Sequence, residues 1–364
     1  MKLIINTANL LPGGAFQRAI SFLNELKVFG QDSYLIILNH HVKNELDITS
    51  FPENYQFKLL NHSPAELKYL IQTRKILKNI ESEFQPDLVF SFVGPSYWRP
   101  KSPHLVGFAL GHLVYNDFSY VKNYSYKTKL EMVYKKFWTI KEADYYVVQT
   151  SDIKERLWSN LSVPKNKTFI VTNGAGYQYH LATPENRNSN TTKRLLMLST
   201  YRPNKNFEII RKVIPYLENY AFKYEFHVTL KDGEYQYLFN GLEASVINHG
   251  YVPAEKAPEL YNHCDAMFLP THLECFSASY AEAMKMEKPI LTSNLSFATS
   301  VCGEAAIYFD NLDPKDIAEK INKLFNDNSL YQSLVNLGKK QLQTFDSSRT
   351  QAEKYIKICK SILS

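Results

Sequence analysis

The chain has 364 residues, 45% hydrophobic and 21% charged, with a formal net charge of +6 and a pI of about 8.8. That length exceeds one comfortable hydrophobic core and predicts two domains of an ordinary soluble globular composition. The charge is too small to argue for nucleic acid, the four cysteines (Cys264, Cys275, Cys302 and Cys359) make no CxxC pair, and no stretch approaches the ~18 apolar residues of a membrane-spanning helix.

The first half alternates strands and helices. "KLIIN" reads as a buried strand, "FQRAISFLNELKVF" as an amphipathic helix, and "SYLIIL" and "FKLL" as further strands. A long helix is expected over 65–84, then strands in "PDLVFSFV", "HLVGFAL" and "DYYVVQT", with helices in "TKLEMVYKKFWTIKEA" and "SDIKERLW". "TFIVTNG" closes the half. The polar run "LATPENRNSNTTK" has no apolar period and reads as a linker. The pattern then restarts with "RLLMLS", "FEIIRKVIPYLENY", "YEFHVTL", "SVINHG", "AEKAPELYNH", "DAMFLP", "KPILTS" and "AAIYF", and ends in three helices. Repeated βα alternation implies parallel sheets. The domains expected are 1–180 and 193–345, joined by a linker over 181–192, with the last helix, 346–364, returning to the first domain.

Chemistry concentrates in "THLECFSASYAEAMKMEKPILTS". Glu274 and Glu282 are separated by seven residues. The first falls on a loop after a strand and the second inside a helix starting near Ser277 or Ser279. Ligands of open α/β sheets bind at the carboxyl edge, and a carboxylate there can accept two sugar hydroxyls at once. Ser279 with Glu282 also fits a capping box, which would make Glu282 purely structural.

Four other segments carry signals. Gly13 and Gly14 lie between the first strand and helix, and read as an anion cradle or as a plain tight turn. The dinucleotide fingerprint G-x-G-x-x-G is absent, which argues against a nicotinamide dehydrogenase. In "STYRPNKNFEII", Arg202 and Lys205 fall beside a helix start, where two cations suit a pyrophosphate. His112 follows the strand "GFAL" and is placed at a strand end, to donate a hydrogen bond or exchange a proton near neutral pH. Asn173 and Gly174 read as a turn or a hinge. The basic and aromatic stretch from Tyr115 to Lys141 reads equally as a soluble helix face or as a peripheral membrane contact.

Taken together, "LPGGAFQRAISFLNEL", "VTNGA", "YRPNKN", the stretch from "HGYVPAEK" to "KPILTS", and the terminal "FDSSRTQAEKYIKI" resemble the retaining glycosyltransferases of family 4. The resemblance covers nearly the whole chain. It implies the GT-B fold, α/β, with two doubly wound Rossmann-like domains facing across a cleft. It implies transfer of a sugar from a nucleotide-sugar donor to a glycan or polyprenyl-linked acceptor, without metal or other cofactor. Arg202 and Lys205 would hold the diphosphate, Glu274 the sugar hydroxyls, and Glu282 the ribose. Tyr251 and Val252 would receive the base. Gly13 and Gly14 would close over the phosphates, and His112 would sit by sugar and acceptor. The loop Phe276, Ser277, Ala278 and Ser279 would complete the donor site. Here Cys275 and Ser277 replace the glycines that usually flank the family's Phe, which narrows the loop's backbone freedom.

The function expected is a hexosyltransferase of bacterial surface polysaccharide synthesis, such as O-antigen, lipopolysaccharide or capsule, working in the cytoplasm or on the inner face of the cell membrane. Alternatives are a nucleotide-sugar epimerase or phosphorylase of the same architecture, and a non-enzymatic module for membrane or nucleic acid. Paired carboxylates in the site disfavour polyanions.

Overall fold

The computed structural model describes residues 1–364 except Gln31, Tyr177 and 181–190. Most of the linker expected at 181–192 therefore lies outside the described residues. The chain divides into two compact units, Met1–Asn173 with Asp346–Ser364, and Gly174–Phe345.

The first unit holds β1 (Lys2–Asn6), β2 (Ser33–Leu38), β3 (Tyr55–Leu59), β4 (Leu88–Ser91), β5 (His104–Gly107), β6 (Tyr145–Val148) and β7 (Thr168–Ile170). Their order is β3-β2-β1-β4-β5-β6-β7, and neighbouring strands run parallel. Leu3, Ile4, Ile5, Leu88, Val89 and Phe90 are all buried, because a parallel sheet is covered on both faces. Tyr355 of the final helix, Ser348–Leu363, packs on Phe22 and Phe90 at centroid distances of 5.2 and 5.1 Å. The entry to that helix is tied by Asp346, which accepts from the Thr172 amide and hydroxyl, each at 2.9 Å.

The second unit holds β8 (Thr192–Met197), β9 (Lys223–Val228), β10 (Val246–Asn248), β11 (Ala266–Leu269), β12 (Ile290–Ser293) and β13 (Ala306–Phe309). The order is β10-β9-β8-β11-β12-β13, again with parallel neighbours. Phe268 lies at the centre of its core, 5.3 Å from Phe226 and 5.5 Å from Phe309 between centroids. In each sheet the strand order reverses once, between β1 and β4 and between β8 and β11. These switch points leave a crevice at the carboxyl edge.

Several elements differ from the sequence reading. The helix expected over 65–84 begins at Leu70, because the Glu66 carboxylate accepts from the Ser63 amide at 2.7 Å and holds a turn there. Helices Asp232–Phe239 and Ser296–Cys302 were not foreseen; each is too short to show a clear period. His112 is not at a strand end. β5 stops at Gly107, and His112 lies on a one-turn helix, Gly111–Val114.

One buried acid fastens the loop after β4. Glu142, with no exposed surface, ends the Tyr126–Glu142 helix. It accepts from the amides of Ser96 at 2.7 Å and Tyr97 at 2.8 Å, and from the Ser96 hydroxyl at 3.2 Å. Burial pushes its carboxyl up to about 8, although these donors pull the other way. Glu142→Ala strands the three donors at roughly 1–3 kcal/mol each. We expect a loss on the order of 3 kcal/mol in urea unfolding; a loss below about 1 kcal/mol would mean that water satisfies the loop.

Candidate functional site

β8 and β11 are adjacent and parallel, so the turn after one and the loop after the other emerge side by side at the second sheet's switch point. Buried amides and a hydroxyl sew them together. The Asn204 carbonyl accepts from the Thr271 hydroxyl and the His272 amide, both at 2.7 Å, while Asn204 Nδ2 donates to the Leu273 carbonyl at 2.8 Å. Asn206 adopts a left-handed conformation, φ 59°, which asparagine tolerates. Its side chain donates to the Pro270 carbonyl at 3.1 Å and the Asn311 carbonyl at 2.9 Å. Asn311 and Ser293 in turn donate to the Thr271 carbonyl.

This seam fixes Lys205 opposite Glu274. The two form an ion pair, Nζ to Oε1, with side chains only 15% and 16% exposed. A cation and an acid are thus held next to each other. Arg202, the residue before the Pro203–Lys205 turn, is exposed; its carbonyl accepts from the Lys205 amide at 2.8 Å, and its side chain makes no hydrogen bond or ion pair with a described residue.

Beyond Glu274, the Phe276 ring packs edge-on against Phe345 at 5.7 Å. The next helix is Ala278–Lys285, with Ser277 at its N-cap position. The Ser277 hydroxyl makes no capping bond, so the first-turn amides keep no side-chain partner. Ser279 lies inside the helix, and the capping box with Glu282 does not form. The reason is register: the helix starts one residue before Ser279.

Glu282 is held instead by two phenols. The Tyr261 hydroxyl donates to its Oε2 at 3.2 Å, and Tyr179 donates as well. Burial pushes the carboxyl up to about 7, against the pull of both phenols and of Lys205. The loop after β10 is more open. Gly250 takes φ 66°, and Tyr251 is 83% exposed.

The remaining residues from the sequence reading belong to the first unit. Gly13 is the exposed N-cap of the Gly14–Leu26 helix at φ 146°, a conformation L side chains rarely adopt. A Cβ at Gly13 or Gly14 would meet nothing within 4 Å. Asn173 is buried and accepts from Gln351 at 3.3 Å. His112 lines a pocket of about 380 Å³ with Asn116, Val121, Lys122, Tyr124, Lys129 and Met132. Its Nε2 is buried without a hydrogen-bond partner. Burial and the neighbouring Lys135 charge push its pKa down to about 4. These effects keep the His112 imidazole neutral at pH 7.

Sequence reasoning missed Asn204, Asn206, Thr271, Asn311, Tyr179 and Tyr261. Only Asn206 left a signal, as an asparagine just before a helix start. Tyr261 sits at an apolar position of its helix and reads as core.

Residues 182–341 match the family model described as glycosyl transferases group 1. The chain carries a glycosyl transferases group 1 domain. The seam, the Lys205–Glu274 pair and Glu282 all lie inside it. Over 123 residues the chain is 32% identical to the capsular polysaccharide biosynthesis glycosyltransferase CapM of Staphylococcus aureus. That match spans 33% of this chain and 31% of CapM. Whole-chain likeness is to solved structures. A Rickettsia africae glycosyltransferase superposes with a TM-score of 0.74 at 15% identity, covering 100% of this chain and 98% of its own. Anabaena HepE in complex with UDP and glucose gives 0.74 at 15% identity, covering 99% and 100%. A mutant of Staphylococcus aureus TarM, in complex with fondaparinux, alpha-GlcNAc-glycerol and UDP, gives 0.70 at 11% identity, covering 98% and 99%. These likenesses establish the α/β GT-B-like fold. Among the described residues, no helix is long and apolar enough to cross a membrane.

The raised Glu282 carboxyl gives a pH test. In the unfolded chain it titrates near 4.5, and in the folded unit near 7. Folding thus disfavours its charged form. The cost is absent below about pH 4.5, grows as pH rises, and is complete above about 7. Glu282→Gln should stabilise the protein at pH 8 by about 2–3 kcal/mol and leave it unchanged at pH 4. Thermal melts at both pH values check this, and equal shifts at the two would assign the effect to packing.

Proposed function

We propose that this protein is a retaining, metal-independent glycosyltransferase that moves a hexose from a nucleotide-sugar to a glycan or lipid-linked acceptor in bacterial surface polysaccharide synthesis. The observation that carries the reading is the Lys205–Glu274 pair, held at the second sheet's switch point inside the glycosyl transferases group 1 domain. A sugar diphosphate presents an anion next to neutral hydroxyls, and the pair presents a cation next to a hydrogen-bond acceptor. The capsule-related name of CapM and the UDP and sugar ligands of HepE and TarM support the same substrate class.

In this reading Arg202 and Lys205 bind the diphosphate, Arg by forking onto two oxygens and Lys as a point charge. The uncapped amides of the Ala278–Lys285 helix, with Phe276, Ser277 and Ser279 at its start, face the same anion. Glu274 accepts from sugar hydroxyls, Glu282 from the ribose, and the Tyr251–Val252 loop takes the base. On the first unit, the amide end of the Gly14–Leu26 helix at Gly13 and Gly14 suits an anion, and His112 offers a neutral imidazole. The bond from the anomeric carbon to the diphosphate oxygen breaks, and the acceptor oxygen bonds to the same carbon from the same face. The acceptor's proton passes to the leaving phosphate oxygen. The enzyme orients the partners and stabilises the leaving charge, so it needs no strong base and no added cofactor.

Lys205→Ala and Glu274→Ala should each lower transfer at least 100-fold, with melting temperature within a few degrees of wild type. Equal loss of folding in both would reduce the pair to scaffold. Thermal shifts with uridine, guanosine and adenosine diphosphate sugars should show stabilisation by one base class, lost in Lys205→Ala. No shift with any donor would overturn the donor site.

A neutral His112 predicts a particular pH profile. Wild type and His112→Gln should differ in rate but keep the same shape between about pH 5.5 and 8. A limb near pH 6.5 that disappears in the variant would contradict the assignment.

A further inference from the structure

We infer that the exposed face of the Tyr126–Glu142 helix is a docking surface for an anionic lipid bilayer. Tyr126, Leu130, Val133, Phe137 and Ile140 are 78%, 53%, 65%, 52% and 45% exposed. Their spacings of four, three, four and three residues put all five within one stripe less than a quarter of the helix circumference wide. No described element covers it.

Charge selects the occupant. At about 100° per residue, Lys127 and Lys141 run along one side of the stripe, and Lys129 and Lys136 along the other. All four are exposed. Of the helix's two acids, Glu142 is buried and Glu131 is turned away from the stripe. Lys135 also points away, towards His112, whose pKa it lowers. A second copy of the chain would set lysine rows against lysine rows. An anionic bilayer instead takes the apolar stripe into its interfacial region and pairs the lysines with headgroup phosphates. Beside the helix, Arg74 lies over the Trp138 ring at 4.1 Å. One turn before Arg74, Ile71 is 84% exposed, and Leu67 is 76% exposed. Both belong to the same unit as the helix.

The inference deepens the proposed function by naming where a lipid-linked acceptor is met, and in that respect it rests on that reading. The test needs neither donor nor acceptor, so failure of one leaves the other standing. The full-length protein is sedimented with vesicles of phosphatidylcholine alone, or with about 30% phosphatidylglycerol, at low and high salt. Binding should favour the anionic vesicles at least tenfold and weaken with salt. The double variants Val133→Ser with Phe137→Ser, and Lys127→Glu with Lys136→Glu, should each lose at least tenfold in binding. Their melting temperatures should match wild type, because every altered side chain is exposed. Tyr237→Ser, at a residue 80% exposed on the second unit, should bind as wild type does. Absence of vesicle binding, equal binding to neutral vesicles, or unchanged binding by either double variant overturns the inference. So does a concentration-dependent dimer that Val133→Ser with Phe137→Ser abolishes.

Discussion

The candidate site depends on a small polar seam under it. Two stretches of chain about seventy residues apart in sequence meet where β8 and β11 lie side by side, and three side chains, Asn204, Asn206 and Thr271, tie their backbones together. A turn and a loop have many conformations of their own, and ordering them costs entropy. Satisfied hydrogen bonds in a buried setting offset that cost and leave one geometry, since any other would strand a buried amide or carbonyl. Lys205 and Glu274 stand on this base. Their proximity is a consequence of backbone held from below, more than of attraction between two surface charges.

Charge is also used inside the units. Glu142, which is buried, and Glu282, which is half-buried, are acids whose pKa values desolvation raises, to about 8 and about 7. They differ in what holds them. Glu142 takes donors from one loop and fixes it, which suits a structural part. Glu282 is held by two phenols that themselves need a partner when buried. His112 shows the opposite case, a base kept neutral because desolvation and Lys135 both penalise its cation. In each case the side chain's identity names the available chemistry, and its surroundings choose the protonation state.

Much of this was legible in the chain. Strand runs such as "SYLIIL" and "DAMFLP" are continuous and apolar because parallel strands are buried on both faces, and they fall where the structure has β2 and β11. The segments carrying Arg202, Lys205, Glu274 and Glu282 could be placed because they follow such strands. Short helices could not, since a single turn like Gly111–Val114 shows no period, and His112 was misplaced for that reason. The seam was invisible as well: asparagine and threonine in loops are common, and nothing local tells which of them will be buried.

The sequence alone determined the alternation of strands and helices, the family resemblance and the residue types at the candidate site, because these rest on local pattern and local chemistry. Tertiary structure decided that Lys205 meets Glu274, that two tyrosines hold Glu282, that His112 stays neutral, and that five apolar side chains of one helix face outward. Each of these depends on packing between segments distant in the chain, and burial and electrostatic shifts exist only once that packing has formed.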